Sequence, residues 1–211
     1  MFKMIKFKEL LKYLLFLVCL YVFSSFIYLY KTNLSENVLV SLVSISRLLF
    51  EHAIFLFILA VCTFTPFLRP MFMVRVKSND LQEYIQKFIL RNSLLYSSSL
   101  VIFYVFMELL IIKRITDVSS VLLSFIVLFL FGLCYFSTTV YTYLKSENYE
   151  LSVCIFLGAS LIGKGCIYLA DMINGVRFLE ISNQLIIIVL VIGSVGILHF
   201  INDAIKSKEI L

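Results

Sequence analysis

Four charged side chains interrupt otherwise apolar stretches of this sequence: Glu51, Glu108, Lys164 and Asp171. A charge inside a hydrocarbon layer is costly and needs a counter-charge, backbone carbonyls or water, so such residues mark ion paths, ligand contacts or internal ion pairs. Lys164 is the hardest to leave alone. Nine strongly apolar residues between 151 and 170 contribute about −3 to −5 kcal/mol toward insertion, against roughly +2.5 to +3.5 kcal/mol for a central lysine. The segment is marginally insertable by itself, and a partner such as Glu108 or Glu51, or a water-filled vestibule, would relieve it. With the N-terminus inside, Glu108, Lys164, Glu51 and Asp171 all map to the outer half of the membrane as one polar cluster. The plainer reading makes them span-end residues that snorkel to water.

Other chemistry is sparse. His52 and His199 are the only histidines, sit in no metal-ligand spacing, and fall near opposite membrane faces, so no metal site is expected. The "GKG" at 163–165 lacks the rest of a nucleotide-cradling loop, so any ATP use must come from a partner. No paired Asp, Ser-Lys dyad or His cluster stands at catalytic spacing, and neither an enzyme nor a cofactor is expected. The five cysteines all lie in apolar stretches and read as small packing residues. Asn33-Leu34-Ser35 matches a glycosylation acceptor, a pattern that also arises by chance.

The elements that would position these residues are membrane helices. Hydrophobic residues make up 62% of the 211, charged residues 15%, and the mean hydropathy is +1.03. Those values exclude an ordinary soluble domain, and the apolar runs lack the period-2 alternation of a barrel. The fold class expected is an all-α polytopic membrane protein, a single domain over 1–211. Its bundle would have six transmembrane helices at about 11–30, 48–68, 92–112, 119–143, 150–170 and 184–203. The first apolar run follows a basic start and is too long for a signal peptide, so it reads as an uncleaved helix. Residues 37–47, "NVLVSLVSISR", either lengthen the second span or lie in the interface.

Twelve of the eighteen Lys and Arg fall on one side of this arrangement, which puts both termini in the cytoplasm and the chain in the cell membrane as a multi-pass protein. Several tyrosines, Tyr13, Tyr28, Tyr30, Tyr141, Tyr143 and Tyr149, fall near span ends, as an interfacial belt would have them. Small residues that permit close helix approach occur at Ser93 and Ser97, at Ala159 and Gly163, and at Gly193 and Gly196. The stretch 171–183, "DMINGVRFLEISN", reads as a short hairpin, an interfacial helix or a plain loop joining the last two spans.

One segment stands apart. Residues 67–92, "FLRPMFMVRVKSNDLQEYIQKFILRN", carry five Lys and Arg between two apolar blocks. Pro70 stops or turns the preceding helix, and Asp80 with Glu83 three residues later forms a capping-box pattern, as Asn79 with Gln82 does one residue earlier. Leu81, Tyr84, Ile85, Phe88 and Ile89 then recur at helical spacing, with Gln82, Glu83, Gln86 and Lys87 on the other face. The pattern predicts an amphipathic helix at the cytoplasmic surface leading into the third span. It serves either as a headgroup anchor, through Arg69, Arg75, Lys77 and Arg91, or as a docking element for a cytosolic partner.

This layout resembles the permease subunits of bacterial type-2 ABC exporters: an N-terminal amphipathic helix ("MFKMIKFKELLKY"), six helices, both ends inside, and a cytoplasmic helix between the second and third. Locally, "RPMFMVRVKS" is similar to the P-x-x-x-x-R stretch of small permeases that work beside antimicrobial-peptide resistance ATPases. The resemblance implies export of a peptide, lipid or other amphiphile, driven by a separate cytosolic ATP-binding subunit. It implies that Arg75, Lys77, Asp80 and Glu83 dock that subunit, and that the chain pairs as a homodimer or with a sister permease in the lipid bilayer. Nucleic acid is not an expected partner. An outer re-entrant element would fall at 164–183. The other reading is a non-transporting membrane protein, such as a bacteriocin immunity protein or a membrane scaffold.

Overall fold

The structure, a computed structural model, describes residues 48–64, 78–107, 109, 117–174 and 183–209. The predicted span at 11–30, the N-terminal amphipathic helix and residues 37–47 lie outside the described residues. Among the described residues there is no strand. A π-helical turn, Leu48–His52, leads into α1, Ala53–Phe64. Four longer helices follow: α2, Ser78–Met107; α3, Val118–Ser146; α4, Tyr149–Asn174; and α5, Asn183–Glu209.

Each of α2 to α5 holds an apolar stretch long enough to cross a bilayer: Leu81–Phe106, Val118–Ser146, Tyr149–Leu169 and Ile186–Ile205. These four correspond to the spans expected at 92–112, 119–143, 150–170 and 184–203. The expected span at 48–68 is represented by a shorter apolar helix, Leu48–Val61.

At the centre runs α3, packed against α2, α4 and α5, with a smaller contact to α1. Its sequence allows this because apolar side chains occur on all its faces, and Val127, Leu128, Tyr135, Phe136 and Val140 are completely buried. Three threonine hydroxyls that share this interior are satisfied within the helix: Thr138 donates to the Cys134 carbonyl at 2.7 Å, Thr139 to Tyr135 at 2.9 Å and Thr142 to Thr138 at 2.8 Å, while the buried Ser137 hydroxyl finds no partner among the described residues. An unbonded hydroxyl is expensive there, and for the threonines back-bonding to the preceding turn removes most of the cost.

Only Glu147 and Asn148 separate α3 from α4. Glu147 adopts left-handed backbone (φ 55°, ψ 8°), and its N–H donates to the Tyr143 carbonyl. Such a residue closes a helix by satisfying one of its orphan carbonyls. Asn148 then starts α4, its side-chain oxygen accepting the Leu151 N–H at 3.1 Å, which is the geometry of an N-cap. So short a link leaves α3 and α4 no choice but to pack as antiparallel neighbours.

Candidate functional site

Two regions hold the residues singled out above. The first gathers around the π-helical turn, whose residues pack on α1 and α4. A π-turn widens the helix by one residue per turn and re-aims the side chains it carries. His52, the last residue of the turn, is completely buried, and its Nδ1 shares a hydrogen bond of 2.8 Å with the hydroxyl of Tyr96 on α2. Their rings meet edge to face, with centroids 6.2 Å apart. Nothing in the sequence linked these two residues, since their pairing is tertiary and follows no local spacing.

On the other side of the turn, Phe50 faces α4. The ammonium of Lys164 lies 4.0 Å from the centroid of the Phe50 ring, close enough for a cation–π attraction. Glu51 adjoins Phe50 on this turn, so the fold brings the elements of Glu51 and Lys164 together. The close contacts between acidic and basic side chains among the described residues are nevertheless elsewhere: the Glu83–Lys87 ion pair and Asp203 beside the His199 imidazole. Lys164 is thus held by an aromatic ring, and the Glu51–Lys164 pair offered by the sequence does not form. Glu108 lies outside the described residues. Asp171 belongs to α4, two turns beyond Lys164, and its side chain lies outside the described set.

The second region is the start of α2. Arg75 and Lys77 lie outside the described residues. The amphipathic segment and the third span prove to be one uninterrupted helix of 30 residues, about 45 Å long at 1.5 Å per residue. Ser78, Asn79 and Asp80 are already helical, so Asp80 sits inside the helix instead of ahead of it; its side chain is not described. Glu83 directs its carboxylate to Lys87, four residues on, at 2.5 Å. The capping box therefore gives way to an ordinary exposed i,i+4 pair, because the helix has already started when Asp80 is reached.

The apolar stripe faces the bundle. Ile85, Phe88 and Ile89 are buried, and Phe88 meets Phe136 of α3 edge-on at 6.1 Å. Glu83, Gln86 and Lys87 are exposed. Gln82 donates from its amide nitrogen to Asn202 Oδ1 at 3.0 Å, tying the first turns of α2 to the last turns of α5.

Of the small residues, Ser93 and Ser97 are fully buried. A close approach of α2 and α3 also involves a glycine that sequence reasoning passed over. A Cβ on Gly132 would lie 3.2 Å from Tyr96 Cδ1 and 3.3 Å from Ser93 Cα. Gly193 packs on the Cys134 sulfur, whereas Gly196 faces open space and Ala159 is exposed. Residues 164–174 continue α4 without a break, so a re-entrant element starting at 164 is not formed. Among the described residues no group of three or more His, Cys, Asp or Glu could hold a metal ion.

No protein-family model, curated protein or solved structure matches the chain. The four long apolar helices give it the character of a membrane-embedded helical protein.

Proposed function

We propose that the chain is the transmembrane permease subunit of an ABC-type exporter, moving a peptide, lipid or other amphiphile with energy from a separate cytosolic ATPase. In this reading the membrane part has six spans and both termini in the cytoplasm of a bacterial cell, and it pairs with a second copy or a sister permease. The observation that carries the reading is the start of α2. A helix of about 45 Å exceeds a hydrocarbon layer of ~30 Å by roughly three turns. Those turns place Glu83, Gln86 and Lys87 outward while Ile85, Phe88 and Ile89 grip the bundle and Gln82 holds α5. A partner pushing on the polar face would move α2 as a rigid lever. Arg75, Lys77 and Asp80 precede or open this face and belong to the same docking element.

Exchanging one ion pair separates docking from anchoring. Glu83→Lys with Lys87→Glu keeps net charge, keeps an i,i+4 pair and leaves the buried stripe untouched, at a cost to the helix of only about 0.2–0.5 kcal/mol. Headgroup attraction depends on total charge near the surface and is nearly unchanged. The doubly exchanged protein should insert at wild-type level while losing co-purification of the ATPase and export activity. Failure of any ATPase to co-purify with the wild type, or full retention by the exchanged protein, would return this segment to a membrane anchor.

A further inference from the structure

We infer that Lys164, with Phe50, Leu161 and Tyr168 around it, is a binding site for the headgroup of an anionic phospholipid. This does not depend on the exporter reading. Lys164 is half-buried on α4, between Glu150 and Asp171, the nearest charged residues along that helix, and about 10 Å before the latter at 1.5 Å per residue. A cation within such a stretch requires compensation. Neither of the close acid–base side-chain contacts among the described residues involves it. The Phe50 ring, 4.0 Å away, covers one side of an ammonium that has three N–H donors to satisfy.

The surroundings open toward lipid. Phe50 is 41% exposed, Leu161 43% and Tyr168 65%. Leu161 and Tyr168 stand at i−3 and i+4 from Lys164, on its own face of α4. A lipid phosphate beside Lys164 would meet a positive charge and a phenol hydroxyl while its acyl chains lay along Leu161. Charge complementarity selects an anionic headgroup over a zwitterionic one, because the cholinium of the latter would return a positive charge to the site. Glu51, next to Phe50, is the one described carboxylate on the facing turn, and it is not bonded to the lysine.

The test is native mass spectrometry of the full chain in mild detergent, titrated with dioleoylphosphatidylglycerol or dioleoylphosphatidylcholine. At ~1 kcal/mol of surface electrostatic attraction per cation, the first phosphatidylglycerol should bind roughly fivefold more tightly than phosphatidylcholine. Lys164→Leu should remove that preference, and Lys164→Gln should do the same if the leucine variant is poorly produced. Lys164→Arg should keep it, as should Lys145→Leu at the other end of the bundle and Glu108→Gln. Inorganic phosphate should not displace the lipid. The inference is overturned if both neutral variants keep the wild-type preference or the wild type has none. It is equally overturned if Glu108→Gln raises phosphatidylglycerol binding, which would show a carboxylate already neutralising the lysine, or if inorganic phosphate competes.

Discussion

Replacing Gly132 by alanine sets two known effects against each other. Alanine in a helix interior is favoured over glycine by about 1 kcal/mol. The added methyl would, however, stand 3.2 Å from Tyr96 Cδ1 and 3.3 Å from Ser93 Cα. The second contact is to backbone, so no rotamer change relieves it, and α2 and α3 must separate by a few tenths of an ångström along their whole interface. Overpacking of this kind costs about 1–3 kcal/mol. At Gly158 and Gly196 a Cβ meets nothing within 4 Å, so alanine there collects the propensity gain alone. The difference between Gly132→Ala and Gly158→Ala isolates the packing cost. Thermal unfolding in detergent should place the Gly132 variant below the Gly158 variant by roughly 2–12 °C, taking 2–4 °C per kcal/mol for a chain of this size. Equal midpoints for the two variants would refute the claim that α2 and α3 meet at Gly132.

Two other variants probe single bonds. Tyr96→Phe keeps the packed ring and removes the hydroxyl bonded to His52; it should cost about 1–3 kcal/mol by weakening the satisfaction of a buried imidazole. Combining it with His52→Phe should recover part of that loss, and additive losses in a double-mutant cycle of thermal midpoints would show that the bond contributes nothing. Asn148→Ala removes the N-cap of α4 and should cost about 0.5–2 kcal/mol, whereas Asn148→Asp or Asn148→Ser should be nearly silent. Limited proteolysis at the α3–α4 turn would check this, with equal cleavage in all three variants counting against a capping role.

Composition and periodicity made the helical class legible, since an apolar run of twenty residues has few ways to satisfy its backbone in a bilayer except as helix. The spans expected at 119–143, 150–170 and 184–203 coincide with α3, α4 and α5 to within several residues at each end, whereas α2 is already helical at Ser78, well before the span expected at 92–112. The amphipathic stripe of 81–89 was read correctly as a face, and Ile85, Phe88 and Ile89 do pack inward. Its boundary was not, because a cap is chosen by competition between neighbouring turns. Ser78, Asn79 and Asp80 are each residues that favour caps, yet all three are already helical, so the local pattern does not by itself fix where a helix starts. Lys164 was recognisable from its cost alone, while its contact with Phe50 was not: a cation within reach of several acids and aromatics takes whichever the packing delivers. The π-turn carries no sequence signature, and with it the His52–Tyr96 bond was beyond reach.

Hydropathy also cannot say which apolar face meets protein and which meets lipid, and here the burial of the four long helices gives the missing distinction. Within their apolar windows α2 and α3 are 50% and 39% buried, but α4 and α5 only 17% each, although α5 is more hydrophobic than α2. In water such exposed Ile162, Ile192 and Val195 would drive association or collapse. In lipid they carry no such driving force, because the acyl chains are as apolar as the side chains. The wide outer faces of α4 and α5 are therefore stable as they stand, and what breaks the uniformity of the α4 face is its one cation. A face made almost wholly of aliphatic side chains binds lipid tails without preference; Lys164 beside Phe50 and Tyr168 gives it a place where the chemistry of the headgroup matters.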